Sequence, residues 1–448
     1  MKKLILVAAI SLLTLPAAYA EDMMDMVAGD FEEPDFEIEE PVESLVVAEL
    51  NEQKFSVADL FRWTEYRYGH RLESSDLNDD TVMNELRTQM GWQHLGDKID
   101  TTIRGDLLLD AQLDEAIVHF RELNISTTST GSFDATLGRQ MINWSIPDIL
   151  YLNDLFPKDY AAFFIGRDAE GEYMIHPSDS LQLNWFAGNT SVDFVYSPHF
   201  TPYVTPGGER LSYYDPMTQS LKGEDDQMRV EDKWEIFDKD AVYLRILTMI
   251  KSHELFFFAH DGYWPVPNAI DPVEGEFYYA PLRTYGAAYR GPLMSGILSL
   301  EGSYYDSLDD EKGDDPMIPN SQLRTLVRYD FEVMKDLNAT AQYYTEIRQD
   351  QDAYESTAMP GMSMDQVYEL YTLRLTRMLL KQTLTLSFMG FYSPTDEDHY
   401  LRANVYYQPD DRWMFHVGVN RFDGKSISGR WAGYEENSNA FAAVRYYW

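Results

Sequence analysis

The last eight residues, Phe441-Ala-Ala-Val-Arg-Tyr-Tyr-Trp448, read as a strand that runs to the final position. Counting back by twos from Trp448 gives Tyr446, Val444, Ala442 and Ala440, one apolar face with aromatics at its rim. Side chains of a strand alternate between two faces, and the same period recurs upstream. In Thr101–Ala111, Ile103, Gly105, Leu107 and Leu109 alternate with Thr102, Arg104, Asp106 and Asp110. In Leu323–Val333, Leu323, Thr325, Val327, Tyr329 and Phe331 alternate with Arg324, Arg328, Asp330 and Glu332. Segments 367–379, 383–392, 401–407 and 413–419 repeat the pattern. A soluble sandwich shows such alternation too, so further signals must decide between the two.

The first of these is the amino terminus. Met1-Lys2-Lys3 is basic, Leu4 to Leu15 is mostly apolar, and Ala18-Tyr19-Ala20 has the small-x-small form of a leader cleavage site. Residues 1–20 are expected to be a removed signal peptide, because the run is short for a spanning helix. With Cys 0, neither disulfides nor thiolate metal sites are available. No later segment is apolar enough for a spanning helix, although aromatics reach 14% with Tyr 31. A membrane protein without spanning helices must be a closed barrel, since every backbone polar group in hydrocarbon needs a partner. The mean hydropathy of −0.39 is compatible with this, because barrel strands spend every second residue on a polar lumen.

Loop lengths separate barrel from sandwich. Tight joins are expected at Gly188-Asn189, Lys251-Ser252, Gly291-Pro292, Lys335-Asp336 and Pro409-Asp410-Asp411. Long polar loops fall at about 198–238, 261–280, 305–320, 350–364 and 423–437. Short turns at one end and long loops at the other are the barrel pattern; the short Ser393-Pro-Thr-Asp396 join breaks it. Such a secreted chain, ending on an aromatic strand, resembles bacterial outer-membrane β-barrels, in which Val444, Tyr446 and Trp448 would be the signal read by the assembly machinery. The expected fold is an all-β transmembrane antiparallel barrel over residues 56–448 with an even number of strands: about 17 candidates from residue 84 make 18 with a first strand near residues 60–68, or 16 if one of the candidates is not a strand. A lumen of that size is too wide for side chains to fill. It needs a water channel or an inserted constriction.

The most irregular stretch supplies one. Gly138-Arg139-Gln140 leads to Trp144, Pro147, Asp148, Asp154, Pro157 and Asp159, with about 30 residues before the next strand at Leu181. A loop near residues 145–178 is expected to fold inward. This segment, followed by Tyr196-Ser-Pro198-His-Phe200, resembles an outer-membrane barrel family of unknown function marked by Gly-Arg-Gln…Trp…Asp…Pro-x-Asp. The resemblance covers roughly residues 85–215 and departs from the family pattern at Ser145 and Phe156. It implies an outer-membrane channel, some members being linked to hydrophobic or lipid-like compounds. Gly138, Arg139, Gln140, Trp144, Asp148, Asp154, Pro157 and Asp159 carry the match. Arg139 is expected to pin the loop to the wall through Asp148 or Asp154, and Trp144 to be an interfacial aromatic.

Arg104, Arg121, Arg324, Arg328, Arg374 and Arg402 each fall opposite an apolar face. On the lipid side such charges would cost several kcal/mol near the midplane, so they are expected to line the pore. There they either select anions or pair with Asp106, Glu301, Asp330 and Glu332. Residues 21–43 carry many acidic side chains and no basic one; residues 21–55 are expected to form an acidic periplasmic tail, solvated or docked on a periplasmic partner. The net charge of −39 excludes nucleic acid as a partner and suits acidic outer loops beside lipopolysaccharide and its divalent cations. No catalytic motif occurs, and the nine His are scattered without ligand spacing. His253-Glu254 and His260-Asp261 are adjacent, so each pair points to opposite faces. The expectation is a non-enzymatic channel without metal or cofactor; the alternative is a plugged structural or partner-binding barrel.

Overall fold

The computed structural model describes residues 60–127, 131–146, 150–167, 171–231, 237–359 and 364–448. The expected leader and acidic tail lie outside these residues. The strands in chain order are β1 (Leu60–Arg71), β2 (Thr81–His94), β3 (Ile99–Asp110), β4 (Glu115–Thr127), β5 (Phe133–Gln140), β6 (Ser178–Ala187), β7 (Thr190–Ser197), β8 (Tyr213–Asp215), β9 (Ser220–Lys222), β10 (Ala241–Ile250) and β11 (His253–Tyr263). Then follow β12 (Ala269–Asp271), β13 (Glu276–Tyr278), β14 (Pro281–Leu293), β15 (Gly296–Ser307), β16 (Gln322–Met334), β17 (Leu337–Arg348), β18 (Val367–Leu379), β19 (Leu384–Ser393), β20 (Asp398–Tyr407), β21 (Trp413–Gly424) and β22 (Asn439–Tyr447). The pairs β8–β9 and β12–β13 are separate two-stranded hairpins in the long loops.

The remaining 18 strands form one antiparallel sheet. It closes where β1 meets β22, from Trp63 opposite Tyr447 to Arg71 opposite Asn439. The first strand therefore starts at residue 60, which makes the count 18 rather than 16. All five expected long loops and four of the five expected tight joins stand as read. The fifth turn lies at Met294-Ser295, because β14 continues through Gly291 and Pro292 to Leu293.

Outward faces carry the apolar belt: Leu86, Leu107, Phe120, Leu137, Val327, Leu373 and Val417 are all exposed. Val444 and Tyr446 are half-buried on the same side, and Trp448 is exposed. The buried apolar clusters lie inside the barrel. One joins Leu152, Phe163, Phe164 and Ile165 of the β5–β6 connection to Leu326, Tyr344, Leu370, Phe391, Tyr400, Phe422 and Phe441 of the wall. The other joins Ile142, Trp144, Leu155 and Phe156 to Val195, Tyr243, Phe256, Phe258, Leu282 and Tyr305. The connection thus folds inward and packs against opposite arcs of the wall, which fills a lumen that wall side chains alone leave empty.

Two local irregularities position this connection. The register of β3 against β4 shifts between Arg104 and Gly105, a bulge that turns both Arg121 and Glu122 toward the lumen while Phe120 and Leu123 stay outside. At Gly138 the backbone has φ +125°, and a Cβ there would stand 2.3 Å from the Leu123 carbonyl oxygen. Only glycine allows the strand to pass β4 so closely.

Deleting residues 444–448 removes the rungs that close β22 onto Trp63 to Tyr66. The truncated chain is expected to lose the compact, heat-modifiable band of a folded barrel in gel electrophoresis, whereas Trp448→Phe retains it.

Candidate functional site

The site is the inward segment, described over residues 141–146, 150–167 and 171–177, and the wall that grips it. Asp159 accepts from the Ala162 N–H at 2.7 Å and so starts the helix α1 (Tyr160–Ile165). Gly166, at φ +83°, ends it against the Phe441 ring. A helix end leaves carbonyls without intrahelical donors, and here the wall supplies them. Arg402 Nη1 donates to the Phe163 oxygen at 2.7 Å. Asn420 and Asn439 both donate to the Phe164 oxygen at 2.8 Å. Arg67 Nη1 donates to the Gly166 oxygen at 2.6 Å. The Arg402 guanidinium also lies 4.0 Å from the centroid of the Phe163 ring, a cation–π contact.

A second grip holds the return of the segment. Arg121 Nη2 donates to the Glu172 carbonyl at 2.6 Å, and Arg445 Nη1 reaches the Glu172 carboxylate at 3.2 Å. Tyr173 lies between Arg87 and Arg121, with guanidinium carbons 4.2 Å and 4.4 Å from its ring centroid, and donates its hydroxyl to Asp106 at 3.0 Å. Glu65 bonds both Arg67 and Arg445 at 2.9 Å and 3.0 Å, and Arg167 of the segment pairs with Glu85 of β2. Buried charge is affordable here because every member named has an opposite charge or a hydrogen-bond partner.

The first half of the segment is tied differently. Asp154 accepts from the Trp144 and Phe156 N–H groups at 2.9 Å and 3.1 Å and from Lys158 Nζ at 2.9 Å. Burial pushes the Lys158 ammonium down, and the Asp154 carboxylate opposes that shift. Burial pushes the Asp159 carboxyl up, and Arg167 opposes it. Tyr305 donates to the Leu152 oxygen at 2.5 Å, and Asn153 to Glu301 at 3.0 Å.

These positions revise several sequence expectations. Arg139 does not reach the segment. It shares the outward parity of Phe133 and Leu137 and makes a two-pronged pair with Asp179 of β6 at 2.9 Å and 2.8 Å. Asp154 pairs with Lys158 instead, and Asp148 lies outside the described residues. Trp144 is not interfacial: it follows the end of β5, is buried in the lumen and meets Phe156 edge-on at 4.9 Å. Gln140 donates to Ser180 Oγ at 2.9 Å, and the Pro157 carbonyl accepts from the His176 N–H at 3.0 Å.

The six expected arginines all face the lumen, with different duties. Arg121 and Arg402 hold the segment. Arg104 pairs with Glu122 at 2.9 Å, and Arg328 with Asp330 at 2.6 Å and 2.7 Å. Arg324 donates twice to Gln322 and lies 4.0 Å from the Tyr305 ring centroid. Arg374 stands beside Thr372 and Thr376 on the inner face of β18. Sequence reading missed Arg67 and Arg445. Arg445 alternates with the apolar face of the terminal strand, and Arg67 follows Trp63 and Glu65 by twos, so the period that found the others marks both.

No protein-family model matches this chain, and no curated protein matches it in sequence. Among solved structures it is similar to Pseudomonas aeruginosa OccD3 (OpdP), at 9% identity over 87% of this chain and 90% of that one, with a TM-score of 0.50. A variant of the Rh. blastica porin aligns over 87% of this chain and 99% of its own at 10% identity and a TM-score of 0.38. The closed ring of 18 strands and the likeness to OccD3 define the class of fold as a porin-like transmembrane β-barrel. Such a fold implies a bacterial outer membrane.

Arg402→Ala leaves the Phe163 carbonyl with only the longer 3.2 Å bond from the Gly166 N–H and is expected to cost about 1–3 kcal/mol; Arg402→Lys should recover part of that in thermal unfolding. Gly138→Ala is expected to destabilise by about 1–3 kcal/mol through its strained φ, with the barrel's melting temperature falling and the outward Arg139–Asp179 pair broken.

Proposed function

We propose that this protein is an outer-membrane channel or facilitator that passes small or amphiphilic solutes through a lumen narrowed by residues 141–177. The observation that carries the reading is the manner of the narrowing. An 18-stranded barrel needs something across its lumen, and this chain holds an internal segment there through backbone carbonyls and side-chain charges. The resemblance to the Gly-Arg-Gln family points the same way, toward amphiphilic or hydrophobic cargo, and no catalytic role is part of the reading. Acidic long loops suit a lipopolysaccharide surface whose phosphates are bridged by divalent cations. The acidic residues 21–55 suit a basic periplasmic partner.

A plugged, structural barrel is the second reading. It is favoured by the two apolar clusters that join the segment to opposite arcs of the wall. Flux through reconstituted vesicles separates the two. Vesicles carrying the protein are expected to swell in isotonic solutions of small sugars or amino acids; swelling no greater than that of empty vesicles would contradict the channel and leave the plug.

Charge selectivity tests the wall. Replacing Arg324, Arg328 and Arg374 together by glutamine is expected to move the reversal potential in a salt gradient toward cation preference. An unchanged potential would mean that these arginines only neutralise their neighbours.

A further inference from the structure

The barrel wall is not equally complete all round. β4 is thirteen residues long and pairs with β3 along its full length, from Asp110 opposite Glu115 to Ile99 opposite Thr127. Its ladder to β5 covers only Leu123 opposite Arg139 through Ser126 opposite Thr136. Continued, that register would set Met141 opposite Arg121 and Asn143 opposite His119. Instead the chain leaves the wall after Gln140 and turns into the lumen, where Ile142 and Trp144 are buried. Among the described residues no bridge joins positions 115–121 to any strand on that side. β5 has 8 residues and β6 has 10, against 14 in β2.

This gap lies at the height of the apolar belt. Val118 stands opposite Leu107, and Leu107 opposite Thr88 between the exposed Leu86 and Met90. An unpaired backbone edge facing hydrocarbon costs several kcal/mol per group, so continuous lipid is a poor neighbour for it. Both faces of β4 are open here. Val118 and Phe120 are 63% and 50% exposed on the outer side, and His119 is exposed on the inner side. One turn further, Arg121 reaches the Glu172 carbonyl of the inward segment, so the gap faces the constriction itself. The Arg139–Asp179 pair forms its lower rim on the outer surface.

We propose that this gap between β4 and the β5–β6 pair is a lateral portal through which a single-chain amphiphile passes between the membrane and the lumen. The proposal rests on the channel reading above and specifies a cargo class and a route for it. Val118, Phe120 and Leu123 offer apolar contact to the chain. His119 and the unpaired amide and carbonyl groups of residues 115–121 offer hydrogen bonds to the polar head, which lipid tails cannot do. A passing headgroup would relieve the edge of the cost that lipid imposes.

A photoreactive fatty acid is added to vesicles holding the full-length protein. It is expected to mark the peptide containing Val118–Phe120 above all other belt peptides. In parallel, Val118→Trp combined with His119→Trp is expected to bring fluorescent fatty acid transfer down to that of empty vesicles while sugar-driven swelling persists. Even labelling round the belt overturns the portal, as does unchanged transfer in the double variant. Loss of transfer and swelling together assigns the effect to general occlusion and overturns it too. A wild-type protein that swells vesicles but transfers no fatty acid refutes the portal and spares the channel; one that does neither refutes the channel reading itself. A Phe120→Cys variant that cross-links to a second copy shows instead that another chain pairs this edge, and also overturns the proposal.

Discussion

A backbone amide or carbonyl in hydrocarbon must find a partner within the protein, and the rest of this structure depends on that requirement. It forces the strands into a closed ring, with β1 sealed against β22. It fixes side-chain parity, because an arginine on the outer face is far more costly than one on the inner. A ring of 18 strands then creates the opposite problem, a lumen wider than its side chains. The segment between β5 and β6 solves it, but only by bringing its own backbone groups inside.

Those groups explain the arginines. Arg67 and Arg402, with Asn420 and Asn439, bond the Phe163, Phe164 and Gly166 carbonyls at the end of α1, and Arg121 holds the return of the segment at Glu172. Asp159 and Gly166 set the two ends of the helix. The acidic side chains that neutralise this cluster, Glu65, Glu85 and Asp106, come from the same wall. The lumen is therefore an ion-paired interior, and its charges serve the segment before they serve any solute.

Much of the fold was legible from residue order. The period of two placed the strands and the lumen arginines, the loops sorted themselves by length, and an even strand count favoured a first strand near residues 60–68. The inward segment was legible as an interruption, in the missing alternation after Gln140, where the wall strand ends. Its attachments were not. Arg139 precedes the segment, which suggests a tie to it, yet the alternation with Leu137 sends it outward to Asp179. Aromatics collect at membrane rims, but that rule stops applying to Trp144 because β5 ends at Gln140. The Arg121–Glu122 bulge was invisible because a single inserted residue leaves the hydrophobic pattern on either side intact. Contacts such as Arg402 to Phe163, far apart in sequence, depend on three-dimensional closure and carry no local signature.

The most direct test of the account is single-channel conductance in planar bilayers, comparing the wild type with the triple variant Arg67→Ala, Arg121→Ala, Arg402→Ala. If the segment is a constriction held by these side chains, the wild type shows small, steady steps and the variant larger, fluctuating ones. Identical steps in the two proteins, or silence from both at every voltage, would contradict it.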